Sequence, residues 1–185
     1  MTPARYIAFE SPSEVKHDYV NGEVYGMSGG TVEQAALAAA FSAELRAQLA
    51  GKRCRVFSSD LRIHVRATGG TFYPDVSVIC GTPETAEADS QALVNPVVML
   101  EVVSESSERY DRGEKFAHYR LLLSLQEYVL VDQAKKLIEV HHLVQPGRWE
   151  VRYFGEGQLV ELASLGVSIS LDAVYANPLA VSQQA

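Results

Sequence analysis

The sequence of 185 residues predicts an α/β or α+β domain built around a mixed β-sheet. Residues 32–50 are rich in alanine and leucine, which have high helix propensity. Residues 96–104, PVVMLEVVS, are almost entirely apolar, which is typical of a central strand covered on both faces. Strand-like runs lie before and after the long helix, and a second helix separates two groups of strands. This order predicts a single domain over residues 1–185.

The first predicted elements are a hairpin and the long helix. Residues 17–29, HDYVNGEVYGMSG, place Asn21 and Gly22 between two apolar runs, which is a strong hairpin signal. The helix over residues 32–50 is expected to end before Gly51, because glycine is favoured just after a helix C-terminus.

One or two strands are predicted in residues 54–66, CRVFSSDLRIHVR. Apolar side chains alternate there with Arg62, His64 and Arg66, so one face is expected to be apolar and the other basic. A further strand is predicted over residues 71–80, with Pro74 near its beginning. Residues 81–95 are acidic and polar, and we expect an exposed loop.

The C-terminal half begins with the apolar strand at residues 96–104. A helix is expected to follow, capped by Ser106 or Ser107 and running to about Leu123. The sequence then predicts strands over residues 126–132 and 137–143. Further strands and a short C-terminal helix are expected in the remaining tail.

Composition restricts the classes of function. The net charge of −7 argues against a protein that binds nucleic acid by charge alone, because such binding needs many lysines and arginines. A nucleic-acid enzyme stays open, since residues 51–66 form a local basic strip. No apolar stretch approaches the ~20 residues of a membrane helix, and no apolar signal core begins the chain. We therefore expect a cytoplasmic protein without a membrane contact, in which Cys54 and Cys80 are thiols.

Two acids stand out as candidate metal ligands. Asp75 follows Pro74 where a strand begins, and Glu101 lies late in the apolar strand, where an unpaired charge is costly. Two acids on neighbouring strands can share a divalent cation, and oxygen ligands suit Mg²⁺. The backbone carbonyl of Val102 is a further candidate ligand.

The helix that follows adds a candidate cation. Asp111, Lys115 and Tyr119 recur at a spacing of four, so they share one face of the helix, and His118 lies beside them. A lysine on that face could stabilise the negative charge that develops when a phosphodiester is hydrolysed.

These segments resemble the Uma2 family (DUF820) of the PD-(D/E)xK restriction-endonuclease-like superfamily. The resemblance lies in the segments HDYVNGEVYGMSGG, CRVFSSDLRIHV, FYPDVSV, LEVVSESSERYDRGEKFAHYR and LQEYVLVDQ. It extends into the tail and covers nearly the whole chain. It implies a restriction-endonuclease-like fold, in which helices flank a mixed central sheet with additional hairpins. It also implies a Mg²⁺- or Mn²⁺-dependent endonuclease that acts on DNA, with a homodimer as one option.

The resemblance implies roles at matching positions. Asp75 and Glu101 would bind the metal, and Val103 stands where the superfamily often carries its lysine. Lys115 then resembles a catalytic lysine that has migrated to the next helix. Asp111 and Tyr119 match the same helix motif and would orient Lys115 or contact the substrate.

Three positions early in the chain have alternative interpretations. Many relatives carry a histidine where this chain has Gln34, and glutamine cannot accept a proton at neutral pH. Glu33 is an alternative group that could approach the metal. Glu23, after the hairpin turn, is either an ordinary hairpin residue or a supporting residue near the site.

Simpler interpretations stand beside these. Asp75 could be a turn residue, and Asp111 with Lys115 could form an ordinary surface ion pair worth about 0.3–0.5 kcal/mol. Arg62, His64 and Arg66 could form a solvated strand face or contact the DNA backbone. For the whole protein, the alternative to an endonuclease is a catalytically weak or inactive protein that binds DNA or a partner and keeps the nuclease fold.

Overall fold

The computed structural model describes residues 1–27 and 29–177. Its helices are α1 (Pro3–Glu10), α2 (Val32–Gln48), α3 (Glu108–Tyr110), α4 (Phe116–Tyr119) and α5 (Leu171–Val174), and a π-helix (Asp111–Lys115) joins α3 to α4. Its strands are β1 (His17–Val20), β2 (Glu23–Gly26), β3 (Cys54–Ser58), β4 (Arg62–Val65), β5 (Gly70–Phe72), β6 (Val76–Cys80), β7 (Thr85–Ala86), β8 (Asp89–Leu93), β9 (Val98–Val103), β10 (Glu127–Asp132), β11 (Leu137–Gln145), β12 (Arg148–Gly155), β13 (Leu159–Leu162) and β14 (Val167–Ser170).

The central sheet has six strands in the order β12-β11-β10-β9-β6-β3. Its β9–β10 pair is parallel and the other pairs are antiparallel, so the predicted mixed sheet is confirmed. All six residues of β9 are buried. Residues 98, 100 and 102 face a core that includes α2, whereas Met99 and Val103 face a second core on the opposite side. The predicted coverage of β9 on both faces is therefore confirmed.

A second sheet, in the order β2-β1-β5-β4-β8-β7, contributes side chains from β1, β4 and β5 to that second core. The predicted hairpin is its β1–β2 pair. Asn21 and Gly22 have φ angles of 51° and 87°, the left-handed conformation that the tight turn requires. Residue 28 of the predicted stretch lies outside the described residues.

Some predicted boundaries are wrong. Residues 81–95 are not all loop, because β7 pairs with β8 and a small cluster of Ala86, Ala92 and Val94 buries the apolar side chains. The helix after β9 ends at Tyr119 instead of Leu123, and a π-helix interrupts it. Helix α1 was not expected, although Thr2 caps it and proline occupies its first turn.

The expectation of free thiols is also wrong. The β3–β6 register places Cys54 opposite Cys80, and the two residues form a disulfide. A sequence separation of 26 hides this contact from any local pattern. Among the residues that the structure describes, no helix is both long and apolar enough to cross a membrane.

Reduction of this disulfide is expected to lower the free energy of unfolding by about 3 kcal/mol, because the bond closes a long loop in the unfolded chain. The Cys54→Ser/Cys80→Ser variant should show the same loss without reductant. Urea denaturation with and without dithiothreitol measures both. Equal stability of the oxidised protein, the reduced protein and the double variant would contradict this prediction.

Candidate active site

A cleft of about 660 Å³ lies where the start of α2, the β1–β2 hairpin, the ends of β6 and β9, and the π-helix meet. Its walls include the ammonium of Lys115 and five carboxylates, from Asp18, Asp75, Glu101, Asp111 and Glu114. These residues come from four separate parts of the chain. The cleft therefore exists only in the folded protein.

Asp75 occupies the end of the β6–β9 ladder. The last strand pair there joins Val76 to Leu100, and the Asp75 carboxylate takes the next position by accepting a 2.7 Å hydrogen bond from the Val102 N–H. Gln34 Nε2 donates to both carboxylate oxygens, at 3.3 and 3.2 Å. These contacts fix the Asp75 side chain at the end of the β6–β9 ladder. The simpler interpretation of Asp75 as a turn residue does not account for them.

Glu101 faces the second core. The residue is 4% exposed, and its Oε1 accepts hydrogen bonds from Lys115 Nζ and the Tyr119 hydroxyl, both at 2.8 Å. Burial raises the pKa of Glu101 well above its usual range, and Lys115 opposes that shift only in part. The ionised form of this carboxylate therefore depends on nearby positive charge.

The π-helix shapes the opposite wall. Asp111 and Lys115 are its first and last residues, and Lys115 Nζ lies 3.6 Å from Asp111 Oδ1. Single π-turns inside helices are frequent at functional sites, because they reorient side chains at a cost in regular hydrogen bonding. The side chains at the four-residue spacing meet as expected, and the ion pair is buried, not solvated.

Lys115 is a persistent cation. Burial by itself lowers its pKa, but the carboxylates of Glu101, Asp18 and Asp111 outweigh burial and hold the pKa above its usual value. An ammonium in this environment donates hydrogen bonds and balances negative charge. It does not serve as a base near neutral pH.

Asp18 is a cleft residue that our sequence analysis missed. It lies on β1, is buried, and accepts a 3.0 Å hydrogen bond from the Tyr73 N–H. Burial raises its pKa, which Lys115 and the Tyr73 bond partly lower again. In the sequence Asp18 is followed only by the short apolar pair Tyr19 and Val20, so it lacked the long apolar run that singled out Glu101.

Several expected residues lie elsewhere. Glu33 is exposed and does not line the cleft, where Gln34 takes its place beside Asp75. Glu23 is exposed and accepts a hydrogen bond from Tyr25, a cleft residue. His118 Nδ1 is paired with the Thr68 hydroxyl at 2.8 Å, away from the cleft.

The expected basic face of β4 is a further correction. Arg62 is 3% exposed and forms a 2.8 Å ion pair with Asp89, so it cannot contact a DNA backbone. His64 is half-buried and is paired with Thr71 at 3.0 Å. Arg66 has a side chain that is 64% exposed. Strand alternation correctly separated two faces, but Asp89 on the neighbouring strand β8 and the Tyr73 hydroxyl bind the Arg62 guanidinium within the protein.

Comparisons with known proteins extend these observations. The model of the Uma2 family, described as "Putative restriction endonuclease", matches residues 3–173. Two proteins of Synechocystis sp., both described as uncharacterized, are 32% and 29% identical to this chain. The first alignment covers 95% of this chain and 91% of the relative, and the second covers 90% and 95%.

A solved structure has a similar fold. It is described as a "putative nuclease belonging to DUF820" from Anabaena variabilis, and it matches with a TM-score of 0.71 at 18% identity. The match covers 88% of this chain and 91% of that one. The predicted restriction-endonuclease-like fold is therefore confirmed.

Proposed function

This chain belongs to the Uma2 family, and from that premise we propose that it is a divalent-metal-dependent endonuclease that hydrolyses DNA phosphodiester bonds in the described cleft. The observation that carries the proposal is the meeting of Asp75, Glu101 and Lys115. Two acids on neighbouring strands and a lysine from the next helix make up the donor set that PD-(D/E)xK chemistry needs.

The oxygen donors of the cleft fit Mg²⁺ or Mn²⁺. No group of three His, Cys, Asp or Glu side chains in the described part of the chain could hold a metal ion alone. Mg²⁺ is commonly bound by one or two carboxylates together with waters, and Asp75 and Glu101 would supply these. The Val102 N–H points to Asp75, and a strand residue directs its N–H and C=O to the same side. The Val102 carbonyl would therefore be a third protein ligand. Such an ion, when bound, would activate a water and draw charge from the phosphate.

The protein's own residues perform the remaining tasks. Lys115, as a buried ammonium, stabilises the charge that develops on the phosphate oxygens. Tyr119 and Lys115 both bind Glu101 Oε1 and keep this carboxylate in one orientation. The carboxylates of Glu101, Asp18 and Asp111 keep Lys115 protonated.

The cleft is acidic and the DNA backbone is negatively charged, so the two would repel each other. The bound metal and basic groups outside the cleft would have to offset this repulsion. Arg66 keeps its proposed contact with the DNA backbone because its side chain is exposed. The corrected position of Arg62 removes it from this role.

The Asp75→Asn variant tests the proposal. It keeps an oxygen for the Val102 N–H but loses the charge, so Mn²⁺ affinity is expected to fall at least about tenfold, as when metal-site contacts are removed. Calorimetric titration measures the affinity, and incubation of supercoiled, linear and single-stranded DNA with Mg²⁺ or Mn²⁺ measures cleavage. Glu33→Gln, which neutralises an exposed acid outside the cleft, is the matched control.

Metal-dependent cleavage by the wild type and the control, lost in Asp75→Asn, is the expected result. If the wild type binds DNA yet cleaves none of the three forms with either metal, the inactive binding protein is the correct alternative.

A further inference from the structure

Gln34 reaches into the cleft from a fixed position on α2. Its backbone N–H donates to the capping hydroxyl of Thr31 at 3.0 Å, which anchors the first turn of the helix. Its side-chain amide spans the gap to Asp75 and donates to both carboxylate oxygens. Because the amide is neutral, it orients the carboxylate without adding a charge that would repel a cation.

Gly30 makes room for this contact. A Cβ atom added at Gly30 would lie 2.6 Å from Gln34 Oε1 and 3.0 Å from its Cδ. The φ angle of Gly30 is not in the left-handed region, so space and not backbone conformation requires glycine here. A side chain at position 30 would displace the flexible end of Gln34 while leaving the backbone free to fold.

Asp75 is therefore held from two sides, by the Val102 N–H and by the Gln34 amide. Removal of a residue that hydrogen-bonds to a metal ligand, without itself contacting the metal, typically changes metal affinity by about 10–100-fold. We propose that Gln34, kept in place by Gly30, is a positioning residue that fixes the Asp75 carboxylate for metal binding. This inference rests on the proposed function of the cleft.

A double-mutant cycle tests the pair. Gln34→Ala removes the amide and Gly30→Ala pushes it aside, so each single variant should bind Mn²⁺ about tenfold more weakly than the wild type by calorimetry. The double variant should bind no more weakly than Gln34→Ala, because both changes break the same contact. Glu33→Ala, on the same helical turn and outside the cleft, is the matched control and should bind as the wild type does.

A second measurement needs no metal. The amide proton of Val102 donates a short hydrogen bond to Asp75. When Gln34 releases Asp75, the NMR resonance of this amide should shift and its hydrogen exchange should accelerate. The change should be the same in Gln34→Ala and Gly30→Ala and absent in Glu33→Ala.

The outcomes separate this inference from the proposed function. A Gln34→Ala variant that binds Mn²⁺ as tightly as the wild type does overturns the positioning role alone. Losses that add in the double variant also overturn it, because Gly30 would then act independently of Gln34. If the wild type binds no metal, the proposed function fails. Independently of metal, an unchanged resonance and exchange rate of the Val102 amide in both variants would overturn the positioning role.

Discussion

Replacement of Lys115 by methionine is expected to reduce cleavage by about 10²–10³-fold and to lower the free energy of unfolding by about 3–5 kcal/mol. Among the described residues that line the cleft, Lys115 is the only basic one, beside five acidic residues. Its ammonium contacts Glu101 at 2.8 Å and Asp111 at 3.6 Å. Methionine keeps the apolar stem but leaves buried carboxylates without their cation.

Urea denaturation of the metal-free protein measures the loss of stability. Lys136→Met, which breaks an exposed ion pair with Glu156, is the control and should change stability by less than about 1 kcal/mol. The loss of stability in Lys115→Met should be smaller at lower pH, because protonation of Glu101 relieves the repulsion between the buried carboxylates. Wild-type stability of Lys115→Met at pH 8 would show that the cleft carboxylates are not charged as described here.

The Glu101→Gln variant is expected to lose metal binding and cleavage and yet to be more stable than the wild type by about 1 kcal/mol at neutral pH, a gain of the size that single stabilising substitutions commonly give. Glutamine keeps an oxygen for Lys115 and Tyr119. Lys115 also keeps Asp111 as a carboxylate partner. The change removes the desolvation cost of a buried negative charge, which is the cause of the raised pKa of Glu101.

The pH dependence of this gain has a definite sign. Because the pKa of Glu101 is raised in the folded state, folding favours the protonated form of its carboxyl group. As the pH rises above the usual carboxylate range, ionisation of Glu101 therefore lowers the stability of the folded protein. The advantage of Glu101→Gln should therefore be largest near pH 8 and disappear towards pH 4. Thermal melts in chelator across this range measure it.

Added Mn²⁺ provides the counter-test. It should raise the melting temperature of the wild type, because a ligand that binds only the folded state stabilises it, and leave Glu101→Gln unchanged. Glu33→Gln should follow the wild type in both experiments. A Glu101→Gln variant that melts below the wild type at every pH would contradict this account of the buried charge.

The predictions that succeeded depend on local signals. Helix α2 follows from helix propensity, the β1–β2 turn from Asn21 and Gly22, and the position of β9 from its apolar run. Strand β8 was missed because its sequence, DSQAL, is polar, although tertiary contacts bury three of its five residues. The π-helix was missed because no propensity separates it from an α-helix.

By itself the sequence predicted the mixed α and β architecture and the family, because composition, periodicity and the matching segments set them. It also named Asp75, Glu101 and Lys115 as candidate site residues from their matching positions. Only the tertiary structure decided that Asp18 joins the cleft, that Gln34 holds Asp75, that Arg62 is neutralised by Asp89 and that the two cysteines bond. These contacts join residues 26 to 55 positions apart. Periodicity constrains neighbours along one helix or strand, whereas the packing of separate elements brings these side chains together.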